Sequence, residues 1–220
     1  MQEANRIRKG EIKAIGKVQL NDEQKEAKRM IIDNQIVVIT GQAGSGKSLV
    51  CAQASLDFLL KRECDVVYVA RAAIEVGKSL GYLPGGLDEK FDPYIEGFVE
   101  NLYKVYDKPR VDELVTKKAI IGFPIQFVRG KTIDDVLIVE ESQNTTKGEM
   151  LAILTRLGKT GKIIINGDNA QMDIQTNGEM NGLQYVLEMA KHISDIKVIK
   201  LKENHRSDLV GKILDWEFKK

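Results

Sequence analysis

Cysteine is scarce in this 220-residue chain, and long apolar runs are missing from it. Its two cysteines, Cys51 and Cys64, have no CxxC spacing and fall in a predicted helix and helix end, so buried thiols are expected, not a disulfide or a zinc site. No apolar run approaches the roughly 20 residues of a membrane span, and the basic start of the chain lacks a signal peptide's apolar stretch. The sequence therefore predicts a cytoplasmic protein without a membrane partner.

An excess of charge of one sign is also missing. Lys and Arg total 33 against 32 Asp and Glu, a formal net charge of +1, so no long-range field attracts nucleic acid and any polyanion site must be local. The length permits one compact domain with a buried core. We predict a basic N-terminal arm or edge structure over residues 1–19 and a single domain over residues 20–220.

Short runs rich in valine and isoleucine recur along the chain, as is typical of strands covered on both faces of a parallel sheet. Between them, apolar residues at i, i+3, i+4 and i+7 predict helices around Phe98, Ile153–Leu157 and Val186. The alternation predicts a three-layer α/β/α sandwich with a mostly parallel sheet, whose ligands gather at the carboxyl ends of the strands. Residues 77–93 are predicted to form a long surface loop. The predicted strands are 36–39, 66–70, 136–139, 163–165 and 196–199.

A glycine-rich segment after the first predicted strand has the spacing G-x4-G-K-S of a phosphate-binding loop, or Walker A motif. In such loops the backbone N–H groups turn inward toward a β-phosphate, and the following helix N-terminus adds positive potential. Lys47 would reach the β- and γ-phosphates and Ser48 would ligate Mg²⁺; a flexible glycine linker is the alternative. The predicted nucleotide-binding residues here are Gly41, Gln42, Ala43, Gly44, Ser45, Gly46, Lys47, Ser48 and Leu49.

Two acids, Glu140 and Glu141, follow the apolar run 136–139, where a Walker B strand would end. By position, Glu140 would hold Mg²⁺ through water and Glu141 would orient or deprotonate the attacking water. Two exposed acids at a strand edge are the alternative. Gln171 follows the next predicted strand and is expected near the γ-phosphate, with a plain turn as the alternative.

The ordered motifs resemble those of PhoH-like ATPases, from about residue 20 to the end of the chain. The resemblance implies a fold similar to the first RecA-like domain of superfamily-one helicases, and hydrolysis of ATP linked to RNA metabolism, in bacteria or their phages. In this chain Glu140 stands where the family usually has aspartate, and Ala72 stands where it often has proline. The strings that carry the resemblance include Leu20-Asn-Asp-Glu-Gln24, Glu140-Glu-Ser-Gln-Asn144, Leu154-Thr-Arg-Leu-Gly158 and Gly167-Asp-Asn-Ala-Gln171.

Roles for three more residues follow from the resemblance. Gln24 would bond the adenine edge, although Asn21-x-x-Gln24 is also a capping box that closes a helix N-terminus; Thr146-x-x-Glu149 is taken as such a box. Arg206 lies in a string that resembles the superfamily-one motif L-x-x-N-Y-R-S and would contact the γ-phosphate across the cleft. Arg156 is the second candidate for this contact. A surface salt bridge is the alternative for either arginine.

Single-stranded RNA is the predicted partner, held where helicase motifs grip a strand's phosphates. Such contacts read no sequence and weaken with salt. Tyr82, Phe91 and Tyr94 are candidates for base stacking, with core packing as the alternative. His192 and His205 have no partner spacing for a metal, so surface or packing roles are expected. The predicted phosphate contacts are Arg71, Arg129, Lys131 and Thr132.

A homo-oligomeric ring is expected because the chain stops thirteen residues after Ser207, without the second wall of a helicase cleft. A neighbouring subunit would supply that wall, and head-to-tail contacts that repeat a rotation close into a ring. A hexamer is our hypothesis. The rival interpretation is a nucleotide-dependent assembly module in which hydrolysis is a slow timer and nucleic acid has no part.

Overall fold

Six parallel strands form one sheet in the order β3-β2-β4-β5-β1-β6. The computed structural model describes residues 18–72, 87–174, 176, 178–205, 209–210, 212–213 and 216, with only the backbone of 87–94, 123–124 and 126. The strands are β1 Ile36–Gly41, β2 Val67–Arg71, β3 Ile120–Pro124, β4 Val136–Glu140, β5 Lys162–Gly167 and β6 Ile196–Leu201.

The five predicted strands are confirmed, because apolar side chains of the central strands are buried on both faces of the sheet, among them Val38, Ile138 and Ile164. Sequence reasoning missed the sixth strand, β3. This strand is short, contains a glycine and ends at Pro124, and its position at the sheet edge is one where proline is tolerated.

Helices cover both faces of the sheet, so the predicted three-layer sandwich is confirmed. The first three helices pack side by side on one face, and the fifth and sixth lie on the other. Among the described residues, no helix is both long and apolar enough to cross a membrane. The helices are α1 Asp22–Asp33, α2 Lys47–Lys61, α3 Leu87–Tyr103, α4 Lys108–Thr116, α5 Lys147–Leu154 and α6 Gly182–Ala190.

Two predicted boundaries were wrong. Helix α3 begins at Leu87, so the end of the predicted loop 77–93 is helical, and residues 77–86 lie outside the described residues. The buried side chains of Ile95, Phe98 and Leu102 anchor this helix, and tertiary packing outweighs the local turn signal. Helix α5 ends at Leu154, and Leu157 instead forms a bridge with Ile133.

Both cysteines are free thiols, and the expected burial is confirmed for Cys51 but wrong for Cys64. Cys51 is fully buried in α2, whereas Cys64 is partly exposed in the turn that follows it. Burial raises the pKa of Cys64 to about 12, with nearby carboxylates adding to the effect. A thiol with this pKa is almost entirely protonated at neutral pH and therefore a poor nucleophile.

The strand order brings three strand ends together. Strand β5 lies between β4 and β1, so the phosphate loop after β1, the acids at the end of β4 and the turn after β5 share one edge of the sheet. Parallel strands deliver their carboxyl ends to the same edge. The topology therefore places all three predicted motifs beside one another.

Lys162, the first residue of β5, fixes the C-terminus of helix α1 to the amino-terminal ends of the strands, opposite the phosphate loop. Its ammonium donates hydrogen bonds to the carbonyls of Ile31, Ile32 and Asn34, at 3.2, 2.7 and 2.9 Å, and lies 5.2 Å from the centroid of the Phe58 ring. A cation at the C-terminus of a helix pairs with carbonyls that have no intrahelical partner. Burial lowers the pKa of Lys162, while Glu63 and Asp33 oppose that shift.

Replacing Lys162 with alanine should lower the free energy of unfolding by about 1–3 kcal/mol, since three carbonyls lose a charged donor. Urea denaturation would measure the change. The control is Lys200→Ala, at an exposed position of β6, which should stay within about 0.5 kcal/mol of the wild type. Equal costs for the two substitutions would contradict the anchoring role of Lys162.

Candidate nucleotide-binding site

The phosphate loop joins β1 directly to α2, which is the strand–loop–helix context that the motif requires. Gly44 and Gly46 have φ of 85° and 86°, a left-handed conformation that favours glycine. A side chain at Gly46 would also collide with the amide of Gln24. The loop thus depends on glycine for both its backbone conformation and its packing.

Lys47 turns its ammonium back onto the loop, donating hydrogen bonds to the carbonyls of Gly41 at 2.6 Å and Gln42 at 3.1 Å. Burial lowers the pKa of Lys47, and the carboxylates of Asp168, Glu141 and Glu140 oppose that shift. The loop and these carboxylates therefore hold a positive charge where phosphate oxygens would meet the backbone N–H groups.

Glu140 ends β4 as a buried carboxylate, 9% exposed. Its Oε2 accepts a hydrogen bond from the Ser48 hydroxyl at 2.6 Å, and its Oε1 accepts one from the Asn166 amide at 2.7 Å. Burial raises the pKa of Glu140, the two donors counteract that effect and the charge of Glu141 adds to it. The two predicted metal ligands, Ser48 and Glu140, are therefore in direct contact.

Glu141 adopts a left-handed backbone conformation, with φ of 52°. Such a conformation is strained in a residue with a side chain, and strain of this kind concentrates at functional sites. Its carboxylate accepts a hydrogen bond of 2.7 Å from the amide of Gln143. Backbone and side chain are thus both constrained at the predicted water-activating residue.

Gln143 is a site residue that sequence reasoning did not single out. It is fully buried, and its amide joins two loops: beyond Glu141, it donates to the carbonyl of Gln171 at 3.1 Å and accepts from the N–H of Asp168 at 3.1 Å. The amide of Gln171 in turn donates to the Asp168 carboxylate at 2.8 Å. The string Glu140-Glu-Ser-Gln-Asn144 contained Gln143, but nothing in its spacing revealed this contact.

Gln24 takes part in the capping box of α1, so that interpretation is confirmed. Its buried side chain also donates to the carbonyl of Ser45 at 3.0 Å and lies 3.1 Å from the Nε2 atom of His205. The amide thus ties α1 to the phosphate loop. Contact with adenine stays a prediction. The capping box at Thr146 is likewise present.

The side chain of His205 is 45% exposed, in agreement with the surface role expected for it, and the residue also contacts the phosphate loop. Its backbone N–H donates to the carbonyl of Gly44 at 3.0 Å, and its ring faces the phosphate-loop cavity. The preceding backbone N–H groups of Lys202 and Glu203 bond to the Glu23 carboxylate. This contact requires β6 to pair with β1, which the sequence did not reveal. His192 is exposed on the surface, as expected.

A cavity of about 510 Å³ opens above the phosphate loop. It brings together most of the predicted site, while Gly41, Gln42 and Ser45 shape the loop without lining the cavity. Six lining residues were not among the predicted site residues: Val18, Gln19, Asn101 of α3, Lys104 directly after that helix, Asn166 of β5, and His205. The predicted residues that line it are Gln24, Ala43, Gly44, Gly46, Lys47, Ser48, Leu49, Glu141 and Gln171.

The predicted arginines are not part of the described cavity wall. Arg156 lies after α5, where its guanidinium donates to the carbonyl of Arg129 at 3.4 Å. Arg206 lies outside the described residues. A contact between either arginine and a phosphate stays a prediction.

The structure does not gather the predicted RNA contacts at one edge. Arg71 is exposed at the carboxyl end of β2, level with Glu140. Arg129, Lys131 and Thr132 are exposed on the segment that leads into β4, and Lys131 lies 5.0 Å from the ring of Tyr68 near the start of β2. Tyr82 and the side chains of Phe91 and Tyr94 lie outside the described residues.

The parallel sheet, the loop with its lysine and the paired acids define the RecA-like class of P-loop nucleotide-binding proteins. The profile of the "PhoH-like protein" family matches residues 18–216, and the chain belongs to this family. It is 37% identical to a PhoH-like protein of Bacillus subtilis over 83% of this chain and 58% of the relative. It is 32% identical to the protein PhoH of Escherichia coli over 76% of this chain and 48% of the relative.

The chain therefore spans about half the length of these curated relatives. Among solved structures, it is similar to the large terminase of a thermophilic bacteriophage in complex with ADP. The TM-score is 0.51 at 8% identity, over 89% of this chain and 49% of the terminase. At this identity the similarity concerns the fold alone.

Substituting Gln143 with leucine should lower the free energy of unfolding by about 1–3 kcal/mol, because partly buried backbone groups of Gln171 and Asp168 lose their partner. Chemical denaturation would measure the loss. Gln53→Leu is the matched control, since Gln53 is buried in α2 without a side-chain hydrogen bond to any described residue. A cost no larger than that of the control would show that Gln143 does not join the two loops.

Proposed function

We propose that this chain hydrolyses ATP with Mg²⁺ in the cavity above the phosphate loop, and that hydrolysis is coupled to the binding, remodelling or unwinding of single-stranded RNA. The observation that carries the proposal is the convergence of Lys47, Ser48 and Glu141 at that cavity, with Glu140 hydrogen-bonded to Ser48. Its volume of about 510 Å³ is within the range of small-molecule and cofactor sites.

Nucleotide binding would use groups that are already aligned. The loop N–H groups and Lys47 would hold the phosphates, displacing the bonds that Lys47 makes to the loop carbonyls. Gln24, which bonds the loop at Ser45, would contact the base. The family relationship and the terminase neighbour with ADP support a nucleotide as the ligand.

The residues present fit a magnesium ion. Ser48 and Glu140 offer hard oxygen ligands, and the two hydrogen bonds of the buried carboxylate come from neutral donors. No cluster of three or more His, Cys, Asp or Glu suited to a metal occurs among the described residues, so phosphates and water would complete the shell. When bound, the ion would neutralise charge on the transferred phosphoryl group.

Glu141 would orient the attacking water or accept its proton. Its carboxylate lines the cavity, held in place by Gln143, and Gln171 lies at the same wall. Because Gln143 bonds both of these residues, a conformational change at the γ-phosphate end of the cavity would alter the positions of both. Arg206, or Arg156, would complete the site by stabilising charge on the phosphate.

Exchanging Glu141 for glutamine should preserve ATP affinity and lower the hydrolysis rate by about 10²–10⁴-fold, because an amide accepts no proton from water. Phosphate release and binding of a fluorescent ATP analogue would be measured on the same protein. Glu96→Gln, at an exposed position of α3, is the control and should match the wild type. Undiminished turnover in the Glu141 variant would remove this residue from the mechanism.

The RNA half of the proposal depends on exposed basic residues. Arg71 is the last residue of β2 and pairs with Glu140, the last residue of β4, so a phosphate held there would lie close to the metal ligands. Among the described residues that line the cavity there is no arginine. We therefore propose that a neighbouring copy supplies one in a homo-oligomeric ring, with six subunits as the working hypothesis.

Single-stranded RNA should raise the ATPase rate, and the effect should fade as salt increases, because phosphate contacts release counterions. Arg71→Ala should reduce the stimulation while basal turnover persists, and Lys197→Ala on β6 is the charge-matched control. Light scattering on the same samples would report assembly with and without ATP. An ATPase rate indifferent to RNA at every salt concentration would favour the assembly-module alternative, and full activity as a monomer would refute the ring.

A further inference from the structure

Glu140 and Asn166 occupy corresponding positions on neighbouring strands. The register of β4 and β5 pairs Val139 with Ile165, so the next residue of each strand lies side by side. Both side chains are buried, Asn166 at 2% exposure and Glu140 at 9%. The amide of Asn166 donates to Glu140 Oε1 at 2.7 Å and lies 3.4 Å from the sulfur of Cys51. Both partners of the contact are thus largely withdrawn from solvent.

Each oxygen of the Glu140 carboxylate has one neutral donor. Asn166 holds Oε1 and the Ser48 hydroxyl holds Oε2 at 2.6 Å, so the two bonds together fix the carboxylate plane. A donor on each side also leaves the remaining lone pairs of both oxygens free for a cation. Asn166 itself lines the nucleotide cavity, next to the predicted metal ligands.

The lengths of the two side chains are matched to this contact. An aspartate at position 140 would place its carboxylate about 1.5 Å closer to its own backbone, one carbon–carbon bond shorter. The 2.7 Å contact with Asn166 would then stretch beyond hydrogen-bond range, leaving a buried amide without its partner. A glutamine at position 166 would restore the missing length from the opposite strand.

We propose that Asn166 is a positioning residue that holds the Glu140 carboxylate against Ser48, and that the summed length of the Glu140–Asn166 pair sets the affinity of the site for a divalent cation. The inference rests on the proposed function, in which nucleotide and Mg²⁺ bind together. It assigns to β5 a part in the metal site that neither the phosphate loop nor the paired acids reveal. Partners of this kind, which orient a metal ligand, typically change metal affinity by about 10–100-fold when removed.

The test shortens the side chain at position 140 by one methylene group and lengthens the side chain at position 166 by one. Variants Glu140→Asp, Asn166→Gln and the double substitution would be compared with the wild type by titrating Mg²⁺ into protein with a fluorescent ADP analogue. Glu140→Asp should raise the Mg²⁺ concentration for half-maximal nucleotide binding by about tenfold or more. The double variant should bind at a Mg²⁺ concentration about threefold or more below that of Glu140→Asp, because the Asn166 contact is rebuilt while the Ser48 contact is not. A double variant no better than Glu140→Asp would overturn the proposal.

Two further variants separate positioning from simple stability. Asn166→Ala removes the donor without crowding the core and should also raise the Mg²⁺ midpoint, whereas Cys51→Ala, which changes the other neighbour of Asn166, should leave the midpoint unchanged. Thermal unfolding without Mg²⁺ would be recorded for each protein. Variants that lower the melting temperature but keep the wild-type Mg²⁺ midpoint would refute the positioning role. Wild-type protein that binds the analogue without any response to Mg²⁺ would instead overturn the metal part of the proposed function.

Discussion

The contact between Ser48 and Glu140 is the interaction on which the site depends. It joins the first turn of α2 to the end of β4, so the phosphate loop and the acidic strand share one hydrogen bond of 2.6 Å. Burial makes the charged form of Glu140 costly, and the lone hydroxyl and amide donors offset only part of that cost. A buried carboxylate in this position is suited to a cation, which is the chemistry that a nucleotide with its metal would bring.

Amide side chains, not ion pairs, connect the described elements around the cavity. Gln143 links the acids of β4 to the turn after β5, Asn166 links β5 to Glu140, and Gln24 links α1 to the phosphate loop. An amide both donates and accepts, so one buried side chain satisfies groups on two loops without the desolvation cost of a charge. Two charged groups of the cavity, Lys47 and Glu141, are thus not needed to connect these elements and can bind a ligand.

Helix α1 connects the start of β5, the phosphate loop and the segment after β6. Lys162 holds its C-terminus, while residues at its N-terminus bond both the loop and the segment that precedes Arg206. His205 contacts the loop through its own backbone N–H. A change in the loop on nucleotide binding would thus reach the segment next to the predicted arginine through short, directional bonds.

Local sequence patterns predicted most strands of this protein, its phosphate loop and a helix cap. The strand runs, the loop that ends in Lys47 and Ser48, and the capping box at Gln24 follow from spacing alone, because backbone period and glycine conformation are properties of adjacent residues. The edge strand β3 and the start of α3 escaped prediction because local turn signals competed with packing. Only the strand order 3-2-4-5-1-6 decided that His205 meets the loop and that Asn166 meets Glu140, since both contacts join residues more than twenty positions apart whose pairing no local pattern encodes.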